Sequence, residues 1–442
     1  MLQKEQIAKE SQKKSQKLAM SVPRGTKDVL PQEYRYWEMV LNTIKKLAIS
    51  FNFEYIQTPI IEYAKLFEKG TGAATDIVQK EMFSFTTKGG DKLSLRPEGT
   101  PSLARAYLEN GMVNWAHPIK LCSYGPMYRY ERPQSGRKRE FYQYNFDVFG
   151  SDDPIIDVEL IYLAWKTFVK LGIKNVSVQV NSIGCEKCRK DYKGVLLSFL
   201  KSKKGDLCKD CAERILLNPL RVLDCKNAQC QKTLAEAPQI VDYLCKECHD
   251  HLTLLLEYLD GMEIPYFLNS RLVRGIDYYA RTVFEIWSEE EEFKESRTAF
   301  CAGGRYDGLV ELLGGKKVSA VGFAFGVDRI VNLLEYYQIP AIKKPSPKVF
   351  VVALGVSGKK RGLKILSELI DAGIPADEAF SKDSLKSQLK VADKETVALS
   401  LIIGQKEALD ETVIIRDMAS GAQEIVGLNK IISEVKRMLK NI

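Results

Sequence analysis

The sequence predicts a multidomain α/β protein with an α+β core, a mostly helical insertion in that core, and a C-terminal α/β domain. Three observations support this class. Aromatic-rich strands and helices are mixed over residues 21–338, and a cysteine-rich, mostly helical stretch at 183–262 separates some of those strands from the others. Strands alternate with helices over 348–442, which is typical of a small domain with a mostly parallel sheet. A segment inserted into an interrupted sheet explains this order better than three independent domains in a row.

Two short segments lie outside these domains. Residues 1–20 contain lysines and glutamates but no apolar stretch, so they are no secretory signal and are interpreted as a flexible or helical extension. The stretch "IPAIKKPSPK", residues 339–348, contains three prolines and three lysines. This composition predicts a linker over residues 339–347.

The composition bounds the class of protein. A chain of 442 residues is long enough for two to four domains, and its 45% hydrophobic and 28% charged residues are ordinary for a globular protein. The net charge of +8 permits a polyanionic partner without requiring one. No apolar run approaches the roughly 20 residues of a membrane helix, so we expect a cytoplasmic protein without membrane contact. Disulfides are not expected among the ten cysteines of such a chain.

The first chemistry-bearing stretch is "RYERPQSGRKREFYQYNFDVFG", residues 129–150. Its period of two predicts a hairpin with an apolar face on a core and a polar face around a ligand. The apolar face comprises Tyr142, Tyr144, Phe146 and Val148, and the polar face comprises Gln143, Asn145 and Asp147. Arg129 and Glu131 share one face before the turn, and the connecting loop "RPQSGRKR" is basic.

A second stretch, "LSLRPEGTPSLARAYLENG", runs from a strand through a turn into a helix. Thr100 is a natural N-cap, and Pro101 suits the first helical turn. A well-capped helix alone would explain the pattern. The alternative is that Arg96 and Glu98 lie where a strand opens onto a site, with the carboxylate holding a substrate ammonium group.

Two later stretches contain further arginines that could contribute positive charge to a site. "LVRGIDYYARTVFEI" sets Arg274, Tyr278 and Tyr279 before a β-branched strand, where packing is the alternative explanation of the tyrosines. "AVGFAFGVDRIVNLL" is an apolar strand leading into a helix whose first turn holds Arg329. That arginine predicts an anion site beside free helix N–H groups, or else a buried pair with Asp328.

Several mechanisms are excluded by what the sequence lacks. It has neither G-x-x-x-x-G-K-[ST] nor a G-x-G-x-x-G after a strand, and three histidines argue against Ser–His or Cys–His catalysis. The candidate groups that remain are many arginines on strands and a few carboxylates, with no nucleophile. They favour a reaction driven by positioning and charge stabilisation, such as attack of a carboxylate on a phosphorus.

Taken together, these segments resemble histidyl-tRNA synthetases over about residues 21–442. The matching stretches are "PRGTKDVLP", "RPEGTPSLARA", "YGPMYRYERPQSGRKREFYQYNFDVFG", "RGIDYYARTVFE", "AGGRYDGL", "GFAFGVDRI", "SLKSQLKVADK" and "IIGQKEALDETVIIRDM". The resemblance implies a class II catalytic domain with an antiparallel sheet over 21–338, and an anticodon-binding domain over 348–442. It also implies a homodimer formed largely through "TPIIEYAKLFEKGTG".

The resemblance further implies a histidine–tRNA ligase, which converts L-histidine and ATP to histidyl-adenylate and transfers histidine to the 3' end of tRNA(His). By matching positions, Arg129 would hold the ATP α-phosphate, Glu131 the adenine amino group and Arg329 the γ-phosphate, with Mg²⁺ bridging phosphates. Arg274 would be the catalytic cation at the α-phosphate.

Histidine and tRNA would take the remaining positions. The residues implied for the histidine pocket are Glu98, Gly99, Thr100, Gln143, Asp147, Tyr278 and Tyr279. Those implied for the acceptor end of tRNA are Arg137, Lys138 and Arg139 in the basic loop.

Eight cysteines form four close pairs between residues 185 and 248: Cys185 with Cys188, Cys208 with Cys211, Cys225 with Cys230, and Cys245 with Cys248. Nineteen residues separate Cys188 from Cys208, a spacing that fits a zinc site, to which His249 and His251 could add nitrogen ligands. The alternative is reduced cysteines packed among helices. Since the family's chemistry does not require zinc, such a site would be structural.

Two other functions stay open at this point. One is the histidine-binding regulatory paralogue of an ATP phosphoribosyltransferase, which does not aminoacylate. It usually lacks the C-terminal domain and part of the arginine set, whereas Arg129, Arg274 and Arg329 are present here. The other is a zinc-dependent nucleic-acid-binding module whose sheet is only a scaffold.

Overall fold

The computed structural model describes residues 20–73, 75–131, 138–290, 293, 299–343 and 346–440. The chain divides between Ile342 and Lys343 into two compact units. Most of the predicted N-terminal extension lies outside the described residues. None of the described helices is both long and apolar enough to cross a bilayer.

The described α-helices of the first unit cover the segments between the strands. They are α1 (Pro31–Ser50), α2 (Ala64–Gly70), α3 (Thr100–Glu109), α4 (Pro154–Lys170), α5 (Glu186–Ser202), α6 (Lys209–Leu217), α7 (Ala228–Leu234), α8 (Lys246–Gly261), α9 (Leu309–Leu312) and α10 (Val327–Tyr336). A π-helical turn spans Ile77–Glu81, and 3₁₀ turns span Met112–Asn114, Lys204–Asp206, Pro219–Val222 and Ile240–Tyr243.

The strands of the first unit form two sheets. They are β1 (Glu54–Tyr55), β2 (Ile61–Tyr63), β3 (Ser84–Thr86), β4 (Lys92–Leu95), β5 (Ile119–Tyr128), β6 (Glu140–Phe149), β7 (Val176–Ser182), β8 (Tyr266–Leu268), β9 (Ala280–Ser288), β10 (Ala299–Arg305) and β11 (Ala320–Gly326). The large sheet has eight strands in the order β1-β5-β6-β11-β10-β9-β7-β8, and β2-β4-β3 form a small sheet.

The large sheet is mostly antiparallel, as predicted. Only its two edge pairs, β1 with β5 and β7 with β8, run parallel. At its centre, β6 pairs with β5 through Tyr124 and Tyr144 and with β11 through Asp147 and Gly322. The site-bearing hairpin is therefore an interior part of the sheet and is held on both sides.

The two faces of β6 have the predicted character. Tyr144, Phe146 and Val148 are buried in the main apolar core, which the sheet shares with α1, α4, α8 and α10. Asn145 and Asp147 point to the opposite face and are also buried. Since successive strand side chains alternate in direction, burying the aromatic set in the core aims the polar set at the other side.

The insertion interrupts the sheet as predicted. The chain leaves the sheet after β7, passes through α5 to α8 and returns in β8, which lies beside β7 in parallel. The mostly helical character expected of this stretch is confirmed, and its two longest helices are α5 and α8.

The predicted N-cap of α3 is wrong. The N-cap residue is Gly99, which makes no side-chain cap, and Thr100 is already helical. A Cβ on Gly99 would lie 2.6 Å from the Asn145 side-chain nitrogen, so only glycine fits this close approach. The Thr100 hydroxyl lowers the pKa of the nearby Asp147 carboxyl, against the larger effect of burial. Tertiary contacts thus override the local capping preference.

The second unit is a mixed α/β sandwich. Its strands are β12 (Val349–Ala353), β13 (Ala376–Glu378), β14 (Leu399–Ile403), β15 (Thr412–Asp417) and β16 (Gln423–Gly427), in the order β13-β12-β14-β15-β16. Its α-helices are α11 (Gly355–Asp371), α12 (Leu385–Lys394), α13 (Gln405–Leu409) and α14 (Ile431–Lys440), and a 3₁₀ turn spans Leu428–Lys430.

The expectation of a mostly parallel sheet in this unit is only half right. The pairs β12–β13 and β12–β14 are parallel, whereas β14–β15 and β15–β16 are antiparallel. A tight turn after Asp417 explains the second antiparallel pair. The Asp417 carboxylate accepts a 2.7 Å hydrogen bond from the backbone N–H of Ser420, and Gly421 has a φ of 74°. So short a connection can join only antiparallel strands.

Candidate active site

A cavity of about 1140 Å³ opens on the polar face of the large sheet. Strand residues of β6, β9, β10 and β11 form its floor, and the insertion from Cys208 to Asn227 forms part of its wall. The predicted site residues that line it are Glu98, Gly99, Thr100, Arg129, Glu131, Lys138, Gln143, Arg274, Tyr278, Tyr279 and Arg329. The fold therefore brings together residues from four separate stretches of sequence.

Arg129 and Glu131 lie just after β5 and both line the cavity, as their shared strand face predicts. The Arg129 Nε donates a 2.9 Å hydrogen bond to the carbonyl oxygen of Pro97, and its guanidinium lies 5.3 Å from the ring centre of Phe141. Tyr130 points away from the cavity and packs on other side chains. The Arg129 cation is thus held in place by a carbonyl and an aromatic ring.

Glu98 is a buried carboxyl group at the cavity wall. It accepts hydrogen bonds of 2.5 Å from the Thr71 hydroxyl and 2.8 Å from the Tyr278 hydroxyl. Burial raises its pKa, while Thr71, the Arg129 charge and Tyr278 oppose the rise. Arg96 in the same turn has a different role, because it is buried and bonds the carbonyl oxygens of Thr58 and Pro126, where it supports the turn.

Arg274 is a fixed cation that also lines the cavity. Its Nη1 pairs with Glu285 in β9, and its guanidinium lies 5.4 Å from the ring centre of Tyr279. Trp287 holds the same Glu285 carboxylate through a 2.6 Å hydrogen bond. Burial disfavours the charge, but Glu285 and the adjacent tyrosines keep the pKa of Arg274 above its ordinary value. The Arg274 Nε has no hydrogen-bond partner among the described residues.

Asp147 is fully buried and does not itself line the cavity. Its Oδ1 accepts a hydrogen bond from the Tyr306 hydroxyl, and its Oδ2 has no partner among the described residues. Burial raises the pKa of Asp147 to about 7, although the Tyr306 and Thr100 hydroxyls oppose the rise. A Cβ on Gly322 would lie 2.6 Å from Oδ1, so glycine leaves the room for this carboxyl group.

The start of α10 carries Arg329 in its first turn. Its Nη1 donates a 2.7 Å hydrogen bond to the carbonyl oxygen of Ala299, and the side chain lines the cavity. The neighbouring Asp328 pairs at 2.6 Å with Lys138 and accepts a 2.7 Å hydrogen bond from the backbone N–H of Tyr142. Asp328 therefore ties the hairpin to α10.

The basic loop cations lie in different surroundings. Arg137 lies outside the described residues. Lys138 lines the cavity through its pair with Asp328. Arg139 does not line the cavity: its guanidinium lies 3.9 Å from the Tyr130 ring centre and donates a 3.3 Å hydrogen bond to the carbonyl oxygen of Arg24.

The eight paired cysteines form two separate clusters, each able to hold a metal ion. The first cluster is Cys185, Cys188, Cys245 and Cys248, and the second cluster is Cys208, Cys211, Cys225 and Cys230. Within each cluster the four sulfurs lie within 4.8 Å of one another, and neither His249 nor His251 belongs to a cluster. All ten cysteines of the chain are free.

The sequence does not predict three residues that contact the predicted site residues. Glu285 orients Arg274, Tyr306 bonds Asp147, and Thr71 bonds Glu98. A single acid inside the apolar strand "RTVFEIW" was a signal for Glu285. No local pattern distinguishes Thr71, because its partner lies 27 residues away.

Comparison with known proteins identifies relatives of both units. The family model described as histidyl-tRNA synthetase matches residues 25–330, and the anticodon-binding-domain model matches 348–438. The histidine–tRNA ligase of Desulfitobacterium hafniense is 42% identical over 406 residues, covering 92% of this chain and 95% of its own. That of Dehalococcoides mccartyi is 40% identical over 417 residues, covering 94% and 99%.

A solved structure agrees with these relatives. The apo histidyl-tRNA synthetase of S. aureus is 31% identical, superimposes with a TM-score of 0.78, and covers 94% of this chain and 100% of its own. With a family match over more than half of the chain and relatives at about 40% identity over nearly their whole length, this chain belongs to the histidyl-tRNA synthetase family.

Proposed function

We propose that this chain is a histidine–tRNA ligase, which forms histidyl-adenylate from L-histidine and ATP and transfers histidine to the 3' end of tRNA(His). The observation that carries this proposal is the convergence of Arg129, Arg274 and Arg329 on one cavity that also contains the buried Glu98. Three fixed cations suit a triphosphate, and a buried carboxylate suits an ammonium group.

In the first step, a histidine carboxylate oxygen bonds to the α-phosphorus of ATP, and the bond to the departing pyrophosphate breaks. Negative charge develops on the α-phosphate and on pyrophosphate. We assign Arg129 and Arg274 to the α-phosphate, Arg329 to the γ-phosphate and Glu131 to the adenine amino group. Arg274 is the catalytic cation, since Glu285 holds it rigidly and its charge needs no reorganisation during the reaction.

The amino-acid pocket uses the neighbouring polar groups. We assign Glu98, Gly99, Thr100 and Gln143 to the histidine ammonium and its surroundings. Asp147, Tyr278 and Tyr279 are assigned to the imidazole end. The unpartnered Asp147 Oδ2 supports this, since a buried acceptor without a donor is completed by an imidazole N–H.

Magnesium belongs to the nucleotide in this proposal. Mg²⁺ is commonly bound by one or two carboxylates together with substrate phosphates. Among the described cavity residues no group of three acidic side chains lies close enough to hold a cation, and the Glu285 carboxylate is engaged by Arg274 and Trp287. We therefore treat Mg²⁺ as part of the MgATP substrate.

We also propose structural zinc in the insertion. Zinc with four thiolates at about 2.3 Å in a tetrahedron places its sulfurs about 3.8 Å apart. In the first cluster the Cys185 sulfur lies 3.5 Å from that of Cys188 and 3.9 Å from that of Cys245. In the second cluster the Cys208 and Cys225 sulfurs are 3.9 Å apart. Both sets thus fit a tetrahedral site.

The partners follow from the same proposal. Residues 21–338 would form the catalytic domain, with the insertion at 183–262, and 348–442 after the 339–347 linker would bind the anticodon. Arg137, Lys138 and Arg139 would contact the acceptor end of tRNA.

A homodimer through residues 58–72 is supported by exposed apolar side chains there, such as Ile61 and Tyr63 at 49% and 60% exposure. We propose that the protein works in the cytoplasm, where tRNA is charged for translation.

The proposal is tested by two assays on one preparation: histidine-dependent exchange of pyrophosphate into ATP, and charging of tRNA(His). We expect both activities with histidine and neither with other amino acids. Histidine binding without exchange would contradict the proposal and favour the regulatory paralogue. Nucleic-acid binding without histidine binding or exchange would favour the nucleic-acid-binding module.

A further inference from the structure

The loop that carries Arg274, residues 269–279, is contacted by the part of the insertion that holds the second cysteine cluster. The Asn218 side-chain amide donates a 3.3 Å hydrogen bond to Asp277 Oδ1. The Arg271 Nη1 donates a 3.2 Å hydrogen bond to Gln231 Oε1. These contacts lie on either side of Arg274.

A third contact lies directly beside Arg274. A Cβ on Gly275 would lie 2.7 Å from Arg221 Nη1, so the Arg221 guanidinium packs on the Gly275 backbone. Arg221 also pairs with Asp76 at 3.5 Å, and Arg214 pairs with the same carboxylate at 3.2 Å. The insertion therefore fixes the loop and is itself anchored to the catalytic core.

The residues that make these contacts are spaced closely around the cluster cysteines. Gln231 follows Cys230 in α7, and its side-chain amide donates a hydrogen bond to the Cys225 carbonyl oxygen. Asn218 ends α6, whose start carries Cys208 and Cys211. The backbone N–H of Cys208 donates to the Cys230 sulfur at 3.1 Å, which joins α6 to α7.

The elements around the second cluster are too short to hold this geometry alone. The helices α6 and α7 have nine and seven residues, well below the length of about 12–15 at which isolated helices become even marginally stable. Ile215 of α6 and Leu234 of α7 are buried, and they anchor these short helices to a larger apolar cluster. A tetrahedral metal with four thiolates would supply a further constraint.

We propose that the second cluster is a metal site that positions Arg274 for adenylate formation, acting through Asn218, Arg221 and Gln231. This inference rests on the proposed function. It assigns the second cluster a part in catalysis that a purely structural zinc does not have, and it makes Arg221 and Gln231 positioning residues of the ligase.

The test begins with Cys225→Ser in the full chain, because Cys225 is a partly exposed member of the second cluster. Elemental analysis should find one zinc fewer per chain than in wild type. The kcat of pyrophosphate exchange should fall on the order of 10²-fold, the effect of displacing a catalytic group by about 1 Å, with a much smaller change in the KM values of histidine and ATP. An unchanged zinc content would overturn the metal site.

Two variants that leave all eight cysteines in place test the coupling to Arg274. Arg221→Ala and Gln231→Ala should retain the wild-type zinc content and lower kcat by about tenfold. The matched control is Lys203→Ala, which removes an insertion cation paired with Glu236 at 3.3 Å and should leave kcat unchanged. Wild-type kcat in both loop-contact variants would refute the positioning role, even if Cys225→Ser did not fold.

A double-mutant cycle shows whether the effect passes through Arg274. In an Arg274→Ala background, Gln231→Ala should lower kcat no further, because the group that it positions is gone. Full additivity of the two changes would contradict the inference. If wild type showed no pyrophosphate exchange, that result would count against the proposed function instead. Elemental analysis would still show whether wild type holds more zinc than Cys225→Ser.

Discussion

In the proposed histidine pocket, one buried carboxyl group, that of Asp147, would provide specificity. Its Oδ1 is occupied by Tyr306, while Oδ2 is buried without a partner among the described residues. Asp147→Asn keeps the shape of the side chain but replaces an acceptor with an ambivalent amide. We expect the KM for histidine to rise roughly tenfold to a hundredfold, because a buried polar contact is lost.

The KM for ATP should change little in that variant, and pyrophosphate exchange measures both constants. A variant whose ATP constant rises while its histidine constant stays the same would mean that the polar face of β6 serves the nucleotide.

The same carboxyl group makes stability depend on pH. Burial raises the pKa of Asp147 from its ordinary value of 3.8 to about 7 in the folded protein. Between about pH 4 and 7 the folded state therefore binds more protons than the unfolded state, and the contribution of Asp147 to stability falls as the pH rises through this window. Above pH 7 the buried charge destabilises the ligand-free protein by on the order of 4 kcal/mol.

Asp147→Asn removes this charge. The Tm of the variant should exceed that of wild type at pH 8, and the difference should shrink towards pH 4, as thermal unfolding without ligands can measure. A Tm difference that does not vary with pH would show that Asp147 does not titrate in this range.

Arg274 is the residue whose loss should most slow the chemical step. Removing a preorganised charge that stabilises a transition state costs on the order of 10² to 10³ in rate. Arg274→Ala should therefore slow single-turnover adenylate formation by that factor, with a smaller effect on the affinity for histidine and ATP. Near-normal activation would remove Arg274 from the catalytic role. Glu285→Gln, which keeps the cation but weakens its pairing, should give an intermediate rate.

Among the structural elements, the β5–β6 hairpin has one face in the apolar core and the other face at the proposed substrate site. Its aromatic side chains stack in the core, for example Phe146 with Phe323 at 5.0 Å between ring centres, and this packing holds the polar side chains of the other face in place. Beyond the strand ends, Lys138 reaches the cavity by pairing with Asp328. The hairpin thus links the sheet to the proposed tRNA-binding loop.

Lys138→Gln tests that link, since the amide can still donate to Asp328 while the charge is removed. If Lys138 contacts a tRNA phosphate, the KM for tRNA should rise and the slope of its salt dependence should fall by about one. Pyrophosphate exchange, which needs no tRNA, should be unchanged. Lys174→Gln is the control, because Lys174 is exposed and does not line the cavity. Equal damage to both reactions would place Lys138 at the nucleotide.

In the molecule as a whole, the two units should respond differently to metal removal, because they differ in cysteine content. All ten lie before residue 302, and the second unit contains none. Its core comes from the apolar strands β12, β14 and β15, which are packed with helices. Metal removal should therefore act on the first unit alone.

We expect a strong chelator to lower the Tm of the first unit by roughly 5 °C or more, because a ligand that binds only the folded state stabilises it. The unfolding transition of the second unit should not move, and it serves as the internal control. An unaltered first transition after complete zinc removal would favour reduced cysteines that merely pack among helices.

Sequence patterns alone predicted the alternating hairpin, the interruption of the sheet and the change of pattern after the linker. Each of these depends on periodicity or order along the chain, and hydrophobic burial enforces both. The face shared by Gln143 and Asp147, and the one shared by Arg129 and Glu131, were predictable for the same reason.

Contacts between residues distant in sequence form only in the folded chain and could not be predicted from local patterns. The division of eight cysteines into two clusters is one case, since four close pairs can combine in more than one way. The partner of Arg274 is another, because Glu285 reaches it only after the loop folds back on β9. Thr100 is a third: its hydroxyl suits an N-cap, yet the N-cap is Gly99, which packs so closely on the Asn145 side chain that a Cβ would lie 2.6 Å from it. A capping side chain is worth only about 1 kcal/mol, so tertiary packing can outweigh this local preference.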